Sequence, residues 1–144
     1  MKKVTITPLY QVSGADYQRV REIFDEHTSF LNEWDLNLLR GTLQVIYDGN
    51  TVVGYFNPHR GGIHGYEEYY KATPLKIGRK FMNRGYASAT LSELYSKYPG
   101  LVYIANENFA SLAVHRKIGF SLLLDDSVNT EYVLESGAYY IKKL

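Results

Sequence analysis

The period of the apolar positions changes several times along the chain, and each change predicts an element. Val4 to Ile6 alternates as a short first strand. Ser13, then Asp16, then Val20, Ile23 and Phe24 at helical spacing mark a helix from about Ala15 to Glu26. Phe30, Leu31, Trp34, Leu38 and Leu39 recur at three- and four-residue steps and predict a second helical stretch that stops at Gly41. Leu43 to Tyr47 and Val52 to Phe56 are β-rich runs joined by Asp48-Gly49-Asn50, the pattern of a hairpin. Turn formers from Pro58 to Gly65 predict a loop, and Tyr69 to Ile77 predicts a strand whose Pro74 belongs at an edge or a bulge.

From Gly85 to Tyr98 the residues Ala87, Leu91, Leu94, Tyr95 and Tyr98 share one helical face, which Pro99-Gly100 terminates. Leu101 to Ala105 reads as a short strand buried on both faces. Asn108 caps a helix running to Ile118, Gly119 stops it, and Phe120 to Leu124 and Tyr139 to Ile141 supply the last strands. The hairpins require antiparallel neighbours, and the strand–helix–strand crossovers of the second half require parallel ones. The predicted class is therefore α/β in a three-layer α+β arrangement: a mixed, mostly antiparallel sheet of six to seven strands flanked by about four helices.

Composition narrows the chemistry. The 144 residues, 45% hydrophobic and 22% charged, fit one globular domain spanning 1–144. A chain of this size buries roughly 68 to 70% of its unfolded surface, enough for a core and a pocket without staples. Cys is absent, which removes thiolate nucleophiles, Cys-bound metals and disulfides and fits a reducing cytoplasm. Sixteen Lys and Arg against fifteen Asp and Glu give no global field for nucleic acid or anionic lipid. The start of the chain, with Thr, Pro, Gln and Ser where a signal peptide needs an apolar run, reads as mature protein, and no apolar stretch is long enough to span a membrane.

No G-x-S-x-G elbow, H-E-x-x-H pair, phosphate-binding P-loop or G-x-G-x-x-G fingerprint occurs. His59 and His64 lie near each other in the Gly-rich loop, but two loop ligands do not make a metal site, and no metal is expected. The informative segment is Gly78 to Ser88, between a strand and a strongly amphipathic helix. Gly85 and Ala87 leave backbone uncovered at a helix start, where N–H groups without intrahelical partners can hold a phosphate, and Arg79, Lys80 and Arg84 add charge. The same residues also suit a plain strand-to-helix turn with a solvated basic surface.

A second segment, Asn106 to Phe120, decides between these readings. Asn108, Ser111, Lys117, Gly119 and Phe120 together resemble the N-x-x-S-x-x-V-x-x-K-x-G-F signature of the Gcn5-related N-acetyltransferase (GNAT) superfamily. Arg84 to Ser88 is similar to that superfamily's acetyl-CoA pyrophosphate loop, Q/R-x-x-G-x-G/A, with Gly85 and Ala87 on its last two fixed positions. The resemblance in motifs covers about Leu75 to Leu124, and the order of elements extends it over the chain.

The resemblance implies the acyl-CoA N-acyltransferase fold, with splayed central strands, and an acetyl-CoA-dependent N-acetyltransferase that moves acetyl directly to a primary amine. By that resemblance the cofactor-binding residues are Ile77, Arg79, Met82, Asn83, Arg84, Gly85, Tyr86, Ala87, Ser88, Asn108, Ser111 and Lys117. Capping accounts equally for Asn108 and Ser111. Met82 stands where the family has Gln or Arg, and His115 where many members carry the Tyr that protonates the leaving thiolate. An imidazole can serve as that acid, or His115 can be an idle helical residue. Tyr103 is the fallback donor, and Glu68, beside Glu67, is the candidate base or a solvated turn residue. Trp34, Tyr66 and Tyr69 are expected around the amine. The expected partners are acetyl-CoA and an amine acceptor, without nucleic acid or membrane; pairing through sheet edges or C-terminal strands, as in many relatives, would make a homodimer. The alternative is a non-catalytic acyl-CoA-binding or sensing module of the same fold.

Overall fold

A computed structural model describes residues 2–27, 41–60 and 63–143. Its strands are β1 (Thr5–Pro8), β2 (Gln44–Asp48), β3 (Thr51–Arg60), β4 (Tyr70–Ile77), β5 (Gly100–Ala105), β6 (Ser121–Leu122) and β7 (Ala138–Lys143). Its helices are α1 (Gly14–His27), α2 (Tyr86–Tyr95), α3 (Phe109–Lys117) and the short α4 (Glu131–Glu135), with single 3-10 turns at Leu9–Gln11 and Arg79–Phe81. The seven strands form one sheet in the order β1-β2-β3-β4-β5-β7-β6. Pairing is antiparallel for β1 with β2, β2 with β3, β5 with β7 and β6 with β7, and parallel for β4 with β5. The mixed, mostly antiparallel sheet with helices is the architecture the pattern predicts. The expected second helical stretch, with Trp34, lies outside the described residues.

By packing, the chain divides into two compact units: Met1–Pro58 with Ala72–Thr90, and His59–Lys71 with Leu91–Leu144. In the first, one face of α1 closes on the hairpin. Val20, Ile23 and Phe24 are buried with Leu9, Leu43, Val45, Val52 and Tyr55, and the Phe24 and Tyr55 rings lie 6.2 Å apart. Val20, Ile23 and Phe24 follow the three- and four-residue spacing that aligns side chains along a helix, so their burial fixes the helix's rotation. Gly54 of β3 is required by close approach: a Cβ there would overlap the backbone carbonyl of Lys76.

In the second unit, β5 and β7 pair along their whole length, from Gly100↔Lys143 to Ala105↔Ala138. Leu101, Ile104 and Ile141 are buried, with Leu94, Tyr95, Leu112 and Phe120. Asn129 replaces ladder bonds where β6 ends: its side-chain amide donates to the Leu123 and Tyr140 carbonyls, 2.9 Å each, and its carbonyl oxygen accepts from Tyr140 N at 2.8 Å.

Several expectations are corrected. β5 is not buried on both faces, because Tyr103 is 52% exposed. Residues 58–60 continue β3 instead of starting a loop, and β4, which holds Pro74, lies between β3 and β5, so of the two expected places for that proline the edge is excluded. The last strand pair is redistributed: β6 keeps two residues, α4 intervenes, and Leu124 is exposed.

Candidate functional site

The first group of predicted residues lies in the first unit, where β4 ends. Gly78 N donates to Val53 O at 2.8 Å, anchoring the loop to the sheet, and a Cβ on Gly78 would come within 3.2 Å of Ile23 and Phe81. Phe81 N bonds back to Gly78 O at 2.8 Å and Met82 N to Arg79 O at 3.3 Å, closing the 3-10 turn. The chain then takes two left-handed steps, Asn83 at φ 62° and Gly85 at φ 88°. Asn tolerates that region and Gly enters it without steric cost. Together they reverse the backbone into α2, whose first outside bond is Ala89 N to Gly85 O at 3.0 Å. Among the described residues no backbone carbonyl accepts from the N–H groups of 83–88. These are the unpartnered donors of a helix start, at the positive end of its dipole.

The side chains around this turn divide by role. Ile77 is buried at the end of β4. Arg79 is tied to the end of α1: its N–H donates to the Glu26 carboxylate at 2.8 Å and its guanidinium to the Glu26 carbonyl at 2.7 Å. That guanidinium answers an orphan helix carbonyl. Lys80 lies over the Phe81 ring, 5.2 Å from its centre. Met82 is 47% exposed, and Asn83 and Arg84 are also exposed. Tyr86 is buried; its hydroxyl donates to the Asp48 carboxylate, a bond that raises the phenol above its ordinary pKa. Ala87 and Ser88 follow on the first turn of α2, half-buried.

A cavity of about 290 Å³ lies beside this turn, between α1, the β2–β3 turn and Phe81. Its charged lining is mixed: Asp16, Arg19, Glu22, Glu26 and Lys80, with Arg19 and Glu22 paired at 3.0 Å.

The second group lies in the second unit. Asn108 is the N-cap of α3, its carbonyl oxygen accepting from Ser111 N at 3.3 Å, while Leu112 N reaches Asn108 O at 2.9 Å. His115 is one helical turn beyond Ser111 and buried, 7% exposed. Its Nδ1 is 2.7 Å from the Ser111 carbonyl and 3.3 Å from Ser111 Oγ. A carbonyl only accepts, so Nδ1 carries the proton. Burial pulls the imidazole below its ordinary pKa, partly opposed by the hydrogen bond to Ser111 O. Burial thus disfavours the imidazolium at His115, and its Nδ1 proton faces the helix backbone. Lys117 ends the helix, Gly119 takes φ 106° to stop it, and Phe120 turns inward, 4.9 Å from the rings of both Tyr95 and His115.

The remaining predicted residues are near the surface of this unit. Tyr103 lies on the exposed face of β5 with its ring 4.8 Å from Tyr140. Glu68 is exposed and faces Arg60 at 3.4 Å. Glu67 accepts from Gly65 N at 3.1 Å, and its carboxyl is held below the usual range by backbone hydrogen bonds. Tyr66 and Tyr69 stack edge to face at 5.1 Å, and the Tyr66 hydroxyl donates to Asp125 at 2.8 Å. Asp125 also accepts from Ser127 N and Oγ, and these bonds lower its pKa. Sequence reasoning missed this tie between loops, since nothing in the spacing marks a pair 59 residues apart. Among the described residues no cluster of His, Asp or Glu could hold a metal, and no helix is long and apolar enough to cross a membrane.

Neither a family model nor a curated protein matches the sequence. Solved structures do. A GCN5-related N-acetyltransferase from Kribbella flavida superposes with a TM-score of 0.67 at 14% identity, covering 97% of this chain and 96% of that one. A GNAT-family acetyltransferase from Bacillus anthracis gives 0.65 at 20%, covering 99% and 95%. A structure of yncA, a putative acetyltransferase from Salmonella typhimurium with its cofactor acetyl-CoA, gives 0.60 at 15%, covering 99% and 94%. A likeness of this extent at such low identity establishes architecture, and the chain has the fold of the GNAT acetyltransferases.

Proposed function

We propose that the chain, as a single domain over 1–144, is an acetyl-CoA-dependent N-acetyltransferase that passes acetyl directly to a primary amine. The observation that carries this reading is the turn from Asn83 to Ser88, which leaves a run of N–H groups without backbone acceptors at the start of a ten-residue helix. Oriented amides of this kind bind phosphate oxygens without needing a particular side chain, so the pyrophosphate of acetyl-CoA fits them. The GNAT fold and the acetyl-CoA of the Salmonella protein support the same ligand.

Chemistry then requires the amine in its neutral form and a proton for the departing thiolate. His115 is assigned a positioning role within α3, because its Nδ1 proton is committed to Ser111 O and burial disfavours the imidazolium. Tyr103, with its phenol exposed on β5, is the proton donor of this reading. Glu68 acts at most through water, since it is exposed and faces Arg60. Tyr66 and Tyr69 form an aromatic wall for the acceptor, braced through Asp125.

Calorimetric titration with acetyl-CoA tests the reading. Micromolar binding that is lost in Gly85→Val, where a β-branched residue cannot hold φ 88° without strain, supports it; a folded wild type that does not bind overturns it. The burial of His115, with its Nδ1 proton facing Ser111 O, favours one rival, a non-catalytic acyl-CoA-binding module of the same fold. Tight binding with no CoA release across a broad amine panel would select the rival. Under the enzyme reading, Tyr103→Phe lowers kcat while leaving acetyl-CoA affinity unchanged.

A further inference from the structure

The turn before α2 carries less usable positive charge than its sequence suggests. Arg79 is occupied with Glu26, Lys80 lies over Phe81, and Met82, exposed, carries no charge. Arg84 is the remaining cation of the loop. A further cation arrives from the other end of the sequence. Lys2 lays its alkyl chain alongside the turn, with Cγ 3.7 Å from the place a Cβ on Gly85 would occupy. Its ammonium lies over the ring of Tyr86, 5.2 Å from the centre. Tyr86 is itself fixed by burial and by the bond from its hydroxyl to Asp48, so the ring is a rigid platform for the cation. Asp48 is the nearby carboxylate, and it is engaged by Tyr86; among the described residues Lys2 makes no ion pair.

We propose that Lys2 is a further cofactor-binding residue, contacting the pyrophosphate of acetyl-CoA at the start of α2. This rests on the reading of the turn as the acetyl-CoA site. An ammonium is a compact point charge on a flexible stem, so it can follow a phosphate without the fixed fork of a guanidinium. Its stacking on Tyr86 holds it beside Gly85 before the ligand arrives, which reduces the ordering cost of binding.

The test titrates acetyl-CoA into wild type, Lys2→Met, Lys2→Arg and the control Lys3→Met, with melting curves to verify folding. Lys2→Met weakens binding about tenfold, as loss of a charge-assisted contact should, and flattens the dependence of log Kd on log salt concentration. Lys2→Arg and Lys3→Met stay within about twofold of wild type. The tenfold loss persists when 3′-dephospho-acetyl-CoA is the probe. Wild-type binding with an unchanged Lys2→Met overturns the inference and leaves the acetyl-CoA reading standing. A loss that disappears with the 3′-dephospho probe also overturns it, by moving Lys2 to the 3′-phosphate. No binding by the wild type overturns both.

Discussion

Gly100→Ala adds one methyl at the point where β5 meets both of its neighbours. Gly100 registers with Tyr70 of β4 on one side and Lys143 of β7 on the other, so the backbone cannot retreat. The new Cβ would sit 2.7 Å from two atoms of the Tyr95 ring and would overlap the end of the Phe120 ring. Neither ring can swing aside freely: they pack on each other at 4.9 Å, and Phe120 also packs on His115. Overpacking of a filled core by one methyl costs roughly 1 to 3 kcal/mol, and the doubly paired backbone places this site near the upper half, about 2 kcal/mol. For a chain of this size each kcal/mol moves Tm by roughly 3 to 4 °C, so a fall of about 7 °C is expected. Calorimetric melting of Gly100→Ala, Phe120→Leu and the double variant forms a cycle. Removing ring atoms at 120 relieves the overlap, so the double variant is more stable than the sum of the singles by over 0.5 kcal/mol. A Tm for Gly100→Ala within 1 °C of wild type, or strict additivity, refutes the steric argument.

Other consequences are equally direct. His115 takes up a proton less readily folded than unfolded, so its contribution is full above the unfolded imidazole pKa of about 6.5 and declines as pH falls below it. Urea midpoints at pH 7.5 and 5.5 should therefore fall more steeply for wild type than for His115→Asn; equal slopes would dismiss the burial argument. Asn108→Ala removes the cap on Ser111 N and should lower stability by about 1 kcal/mol in urea titration. The Tyr47 phenol is pushed up to about 12, first by burial and then by its 2.7 Å hydrogen bond to Asp16. Asp16→Asn should bring it partway back toward the ordinary value near 10, read from ring resonances in a pH titration, and no movement would exclude Asp16 as a cause.

What the sequence disclosed depended on distance along the chain. The helix from Ala15 to Glu26 was legible because three apolar residues at helical spacing must face one side, and the observed α1 adds one residue at each end. Asn108, Gly119 and Phe120 were legible because a cap, a left-handed stop and an inward ring are local decisions. α4 was missed, since its five residues bury no residue fully and so leave no apolar stripe. The exposure of Tyr103 was hidden by a run of apolar residues that looks alike whether one face or both are covered. Arg79 read as free charge because its partner, Glu26, is 53 residues away. The two readings of His115, acid or idle helical residue, stay open in the sequence because its burial depends on Phe120 and the helix packing, which no spacing encodes.

Asn129 carries a consequence for how this sequence can drift. Its amide nitrogen faces two carbonyl oxygens while its own oxygen faces the N–H of Tyr140. Aspartate has the same outline and would meet no steric objection, yet it would place a carboxylate oxygen against the carbonyls of Leu123 and Tyr140 with no hydrogen to offer them. Selection at this position therefore acts on one atom, nitrogen against oxygen, and not on size. The surrounding turn can change its residues, but the step from Asn to Asp, the smallest that mutation or slow deamidation can make here, removes both bonds that the amide nitrogen makes to the Leu123 and Tyr140 carbonyls.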